Sequence, residues 1–282
     1  MNGRTDVHKL LRNKPFARQL LRVWLTVLLM GVIQACALAE PIPVRRAEGT
    51  VHGFLALRTK EGQLLAAGDL FQVVHGDRVT VRLVFRFKDG SLDDETTVYS
   101  QRKTFQLITD HHIQKGPFFP HPMDLSVDAR SGQVTVRSTG KDGKQEVETD
   151  HLDLPQDLVN GMTFVITKNL LPSTPETKVS VVAALPKPRI VKLAISPRGE
   201  EPFSVAGSQR QAIRFEIKVE LGGVAGVVAP LIGKQPADHE IWIAAGEIPA
   251  FVKAEGFLYP GGPILTIEMA SAVWPSHSGP AK

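Results

Sequence analysis

The chain lacks most of what small exported folds and common enzymes use. It holds one cysteine, Cys36, among 282 residues, so no intramolecular disulfide can form. No Gly-x-Ser-x-Gly run marks a nucleophile elbow. No His-x-x-x-His pair stands ready on a helix, and Gly233-Lys234 is followed by Gln235, so the phosphate-loop order is missing. These absences remove the local signatures of elbow hydrolases, helical zinc sites and phosphate-loop nucleotidases. A lysine–serine or carboxylate pair that assembles in space stays open. The expectation is a protein without catalysis and without a cofactor.

Long apolar runs are also scarce. Leu221 to Gly233 carries no charge over 13 residues, too few to span a bilayer. Its glycines suit a buried strand and bend, although a membrane contact or an apolar pocket wall fits the same composition. The other run opens the chain. Arg12, Lys14, Arg18 and Arg22 precede an apolar stretch from Val23 to Ile33, then small residues to Ala39. A basic start, an apolar middle and a small-x-small end read as an export signal. Val23 to Ala39 is 17 residues, the short limit for a spanning helix, so an uncleaved anchor is the competing reading.

Ala37 and Ala39 supply the small side chains that signal peptidase needs, and cleavage after Ala39 is expected. Ile33-Gln34-Ala35-Cys36 offers the alternative, a lipoprotein box in which Cys36 is acylated. Membrane attachment would then come only through that lipid anchor. Losing residues 1–39 removes six of 33 basic residues and one of 29 acidic ones, which leaves 27 against 28. The positive formal charge of the chain therefore comes from the leader, and the remainder is at −1. The remainder has no basic excess, so nucleic acid is not expected as a partner. The expected location is the periplasm or cell envelope. Residues 40–282 are long enough for one ordinary core, with Pro186-Lys187-Pro188 as the place for a subdomain break.

Alternation dominates the rest. Val79, Val81, Leu83, Phe85 and Phe87 share one strand face, with Thr80, Arg82 and Arg86 on the other. Thr97 to Ile108 reads as another long strand, and Val127 to Val136 as strand, turn, strand. Lys141-Asp142-Gly143-Lys144 is a further hairpin signal. Lys178–Leu185, Arg189–Ile195 and Ala212–Leu221 continue the pattern. One helix is expected near 155–170, because Asp153, Pro155 and Gln156 stand where a cap and first turn need them. The fold class is mainly β, a β-dominated α+β: a curved antiparallel sheet or open half-barrel around one short helix.

Two clusters carry candidate chemistry. Asp110-His111-His112 precedes His121. Adjacent histidines point to opposite faces of a strand, so Asp110, His112 and, through a loop, His121 are the set that could hold a divalent metal for hydrolysis. The competing reading is polar residues at a strand end. Gly116-Pro117-Phe118-Phe119-Pro120-His121-Pro122-Met123 then combines prolines with aromatics. Either Phe118, Phe119 and Met123 form a binding lip or partner contact, or the loop folds back and buries Phe118 or Phe119.

Near the C-terminus, Glu240-Ile241-Trp242-Ile243, then Ile248 to Gly256 and Pro263 to Glu268, form strand, turn, strand, turn, strand. With Pro186 to Leu193 and Asp153 to Gly161, this resembles uncharacterised exported bacterial proteins with an open, lipoprotein-carrier-like β-barrel. The resemblance implies a half-barrel wrapped on a helix and an apolar cavity. The functional expectation is a noncatalytic envelope protein that holds an apolar or lipid-like ligand. The alternatives are an assembly partner of other envelope proteins and a metal-dependent hydrolase.

Overall fold

A computed structural model describes residues 41–139, 144–184, 187–220 and 238–271. Ala39, Cys36, the turn at 141–143 and the uncharged stretch 221–233 lie outside the described residues. The described residues belong to the unit Pro41–Lys282. Among them, no helix is long and apolar enough to cross a membrane.

The first eight strands are β1 (Val51–Thr59), β2 (Leu64–His75), β3 (Arg78–Phe87), β4 (Leu92–Gln101), β5 (Phe105–Lys115), β6 (Met123–Asp128), β7 (Gln133–Thr139) and β8 (Gln145–His151). A helix, α1 (Thr163–Asn169), follows. Then come β9 (Thr177–Ala183), β10 (Arg189–Val205), β11 (Ser208–Glu220), β12 (His239–Ala244), β13 (Phe251–Gly256) and β14 (Leu265–Met269). The chain is mainly β, as its alternation predicts.

The 14 strands among the described residues form one antiparallel sheet in the order β8-β7-β6-β5-β4-β3-β2-β1-β14-β13-β12-β11-β10-β9. First and last strands meet in the middle, where Leu57 opposes Ile267. Among the described residues, β8 and β9 end the sheet without pairing to each other, so these strands do not close into a barrel. It must nonetheless curl. Val79, Tyr99, Val127 and Val134 share one buried cluster with Val182, Ile195, Phe215 and Ile241, although these strands stand far apart in the sheet order. A flat sheet cannot bring them together, whereas a twisted one rolled on itself can.

The space inside the roll is filled by α1 and by the segment before it. Val165 and Ile166 are buried in the same cluster. Here the helix differs from the expected 155–170: it starts only at Thr163 and has no side-chain cap. The residues read as its first turn are engaged elsewhere. Ser180 Oγ and Lys192 Nζ bond the Asp157 carboxylate, each at 2.9 Å. The Asn160 side chain donates to Val182 O and accepts from Val182 N, at 3.0 and 2.8 Å. An isolated parallel bridge joins Leu158 to Ser180. Asp and Asn side chains that satisfy neighbouring backbone compete with helix formation. This segment therefore covers part of the β9 edge, which would otherwise present unpaired backbone groups. The opposite edge, β8, is mostly exposed and carries Glu146, Glu148 and Asp150.

The strand expected from Thr97 to Ile108 is broken at residues 102–104 into β4 and β5. A bulge at Val98/Tyr99 shifts the pairing of the two strands by one residue. Phe105 and Leu107 are buried before the bulge, and Asp110 and Gln114 after it, so the inward phase moves from odd to even positions. β9 and β10 pair across the proline segment, with Ala183 opposite Arg189.

Candidate functional site

Inward positions of a curled sheet are expected to be apolar, and on β3 they are: Val79, Phe85 and Phe87 are buried. The adjoining strands depart from this. β4 turns Asp93, Glu95 and Thr97 inward, and β5 places His112 and Gln114 beside them. Buried polar side chains are the informative exceptions in a core.

These groups line a cavity of about 250 Å³. Its other walls are apolar: Leu70, Leu83, Phe85, Ile217, Ile241 and Ile267. His239 and Phe257 close one side, their rings 4.3 Å apart. Gly256 permits that closure, since a Cβ there would fall 2.5 Å from His239 Nδ1.

The polar wall is a connected set. His112 Nε2 lies 2.7 Å from Asp93 Oδ1. Gln114 Nε2 donates to Asp93 Oδ2 at 3.1 Å and to Leu258 O at 2.9 Å. Thr97 Oγ1 donates to Asp110 Oδ1 at 2.7 Å, while Asp110 Oδ2 is buried without a partner. Among the described residues, Glu95 makes no side-chain hydrogen bond, and His112 Nδ1 stands 3.9 Å from Glu95 Oε1, an ion-pair distance. Its side chain is 23 % exposed, and it lines the cavity.

Burial disfavours each charge here, and the neighbours decide the outcome. Desolvation first, and the Glu95 charge second, push Asp110 up to about 7. Desolvation also raises Glu95, against the pull of His112. For His112, burial works against protonation, but Glu95 and Asp93 outweigh it and raise the imidazole to about 10. His112 is thus a cation at neutral pH. Burial holds His239 below the ordinary imidazole value, so it enters the cavity neutral.

Of the residues singled out in the sequence, Asp110 and His112 come together on one face of β5. His121 is exposed on the β5–β6 connection. His111 points outward to Asp124, at 3.0 Å. Among the described residues, no group of three His, Cys, Asp or Glu side chains is arranged to hold a metal ion. The proline loop folds back: Phe119 is 3 % exposed, and Phe118 lies 4.5 Å from Phe87 and 5.9 Å from Tyr259, ring to ring. Met123 is half-buried at the start of β6 against the main core. A serine–lysine contact does form, Lys192 Nζ to Ser180 Oγ at 2.7 Å. Ser180 is 0 % exposed, so a substrate cannot reach its oxygen, and the contact serves as a clamp.

Asp93, Glu95, Thr97 and Gln114 were not foreseen. The signal was present: once Tyr99 is placed inward, strand alternation puts Thr97, Glu95 and Asp93 on the same side.

The fold and cavity define a class, an open β-barrel-like protein with one polar wall inside an apolar trough. No family model matches the chain, and no curated protein matches it. Among solved structures, it is similar to a β-barrel-like protein, domain of unknown function DUF1849, from Brucella abortus. The TM-score is 0.40 at 7 % identity, covering 81 % of this chain and 100 % of that one.

Proposed function

We propose that this chain is an exported, noncatalytic protein of the cell envelope whose curled sheet holds a small apolar or amphipathic ligand. The observation that supports this best is the cavity of about 250 Å³, with apolar walls from both halves of the sheet and a few convergent polar groups. Small-ligand sites have that composition. Its volume sits just below the usual range of ~300–1,000 Å³, which suits a short ligand or the end of a longer one. The basic-then-apolar start of the chain supports export.

The test is direct. Purified protein is extracted with organic solvent for mass spectrometry, then titrated with an environment-sensitive apolar fluorophore. A co-purifying amphiphile, or saturable probe binding weakened by Leu83→Glu, is the expected result. An empty extract together with no saturable binding would sink the proposal.

A further inference from the structure

Resting on that binding reading, we propose that the cavity selects a short amphiphile bearing a protonated amine. The ammonium group sits against Glu95, and the alkyl part lies among Leu83, Ile241 and Ile267.

Charge accounting supports a cationic head. Among the described residues, the lining includes Asp93, Glu95, Glu240 and Glu255 and no lysine or arginine. Glu240 is already paired with Arg214 at 2.6 Å, and Glu255 with Lys253 at 2.7 Å. That leaves Asp93, Glu95 and, behind Thr97, Asp110 to share the single imidazolium of His112. His112 hydrogen-bonds Asp93 at 2.7 Å and stands 3.9 Å from Glu95, an ion-pair distance too long for a hydrogen bond. Glu95 therefore faces the cavity with no hydrogen bond, and the buried Asp110 Oδ2 has no partner either.

A buried acceptor left without a donor is costly. A ligand ammonium brings three donors and no acceptor, the complement of this wall. A carboxylate or phosphate head would instead approach Asp93 and Glu95 and be repelled. Both Glu95 and Asp110 are shifted upward by burial and by neighbouring acids. Asp110, raised to about 7, would release its proton as a cation enters. The volume of about 250 Å³ lies below the usual ligand-site range of ~300–1,000 Å³, so the alkyl part is short.

Calorimetric titration of the purified protein with octylammonium chloride, octanol and sodium octanoate tests this. Octylammonium is expected to bind at least about ten-fold tighter than octanol, with octanoate weakest. Glu95→Gln should remove about ten-fold of the ammonium affinity and leave octanol within about two-fold. Titration at about pH 6 in buffers of different ionisation enthalpy should show proton release with octylammonium alone, as linkage requires.

Equal affinity for the three probes overturns the amine assignment and leaves the binding reading standing. Failure of all three removes both. Undiminished ammonium affinity in Glu95→Gln also overturns the assignment. Should that variant not fold, ammonium binding to the natural chain without proton release does the same.

Discussion

Asp94 and its chain neighbours Asp93 and Glu95 sit on opposite faces of β4. On the outer face, Arg82 Nε and Nη2 bond Asp94 at 2.9 and 2.6 Å, and the arginine is half in water. Arg82 holds the Asp94 carboxyl below its ordinary range against the opposing effect of partial burial. On the inner face, Asp93 hydrogen-bonds an imidazolium and an amide, and Glu95 has only the same imidazolium at 3.9 Å, beyond hydrogen-bond reach. Burial pushes Glu95 upward instead. One strand thus presents the same functional group to two media. Outside, solvent reaches the Arg82 guanidinium and weakens the pair. Inside, each missing partner is a cost that the fold carries and a ligand can relieve.

The largest test removes the inner cation. His112→Leu leaves Asp93 with only Gln114 and leaves three carboxyl groups facing one another. The expected loss is about 3–5 kcal/mol at pH 7, the usual result of breaking one side of a buried pair, read from urea denaturation. A loss below about 1 kcal/mol would mean that the wall neutralises itself by taking up protons, and the contrast with Asp94 would collapse.

Gly161 tests how the inner wall is supported. Its φ is +65°, and a Cβ there would lie 1.8 Å from Thr97 Oγ1 and 3.0 Å from Asp110 Oδ1. Gly161→Ala combines backbone strain with overpacking, about 2–4 kcal/mol together. If denaturation shows a change below about 1 kcal/mol, the segment before α1 does not press on the acidic wall.

The acidity of the inner wall gives a smaller effect with a defined sign. The folded Asp110 value, about 7, stands above the ordinary 3.8. The native state therefore holds an extra proton between those values, and stability falls as pH rises through that window. His112 acts the same way higher up: its contribution is complete below 6.5 and is lost as pH approaches about 10. Asp110→Asn should remove the lower part of the fall, about 2 kcal/mol or less between about pH 5.5 and 7, and keep the His112 part, which begins above about pH 6.5. Parallel curves for the two proteins would show that Asp110 ionises freely.

How much of this contrast was legible follows from what alternation encodes. The β3 pattern, the hairpin at 128–133 and the strands around Arg189 and Ala212 could be read directly, because a half-buried strand writes its two faces in period two. So could the shared face of Asp110 and His112. The acidic inward face of β4 was missed because Asp93-Asp94-Glu95 itself holds no apolar residue to mark the inner side, and only Tyr99, four residues on, sets the phase. The bulge at Val98/Tyr99 then reverses the phase on β5 without a glycine or proline to mark it. Helix signals at 153–156 misled for a related reason. Asp157 and Asn160 find partners on β9, and a window of local sequence does not contain those partners.

The outer face should respond least. Arg82→Ala removes both bonds to Asp94, yet the guanidinium is half in water, so the expected loss is about 0.2–1 kcal/mol and shrinks further at high salt. Measured beside His112→Leu in the same buffer, it sets the scale of the whole comparison. A loss of several kcal/mol for Arg82→Ala would mean that Asp94 is held as tightly as Asp93. The difference between the two faces would then come from the number of partners rather than from the medium, and the case for an unmet demand at Glu95 would have to rest on its missing hydrogen bond alone.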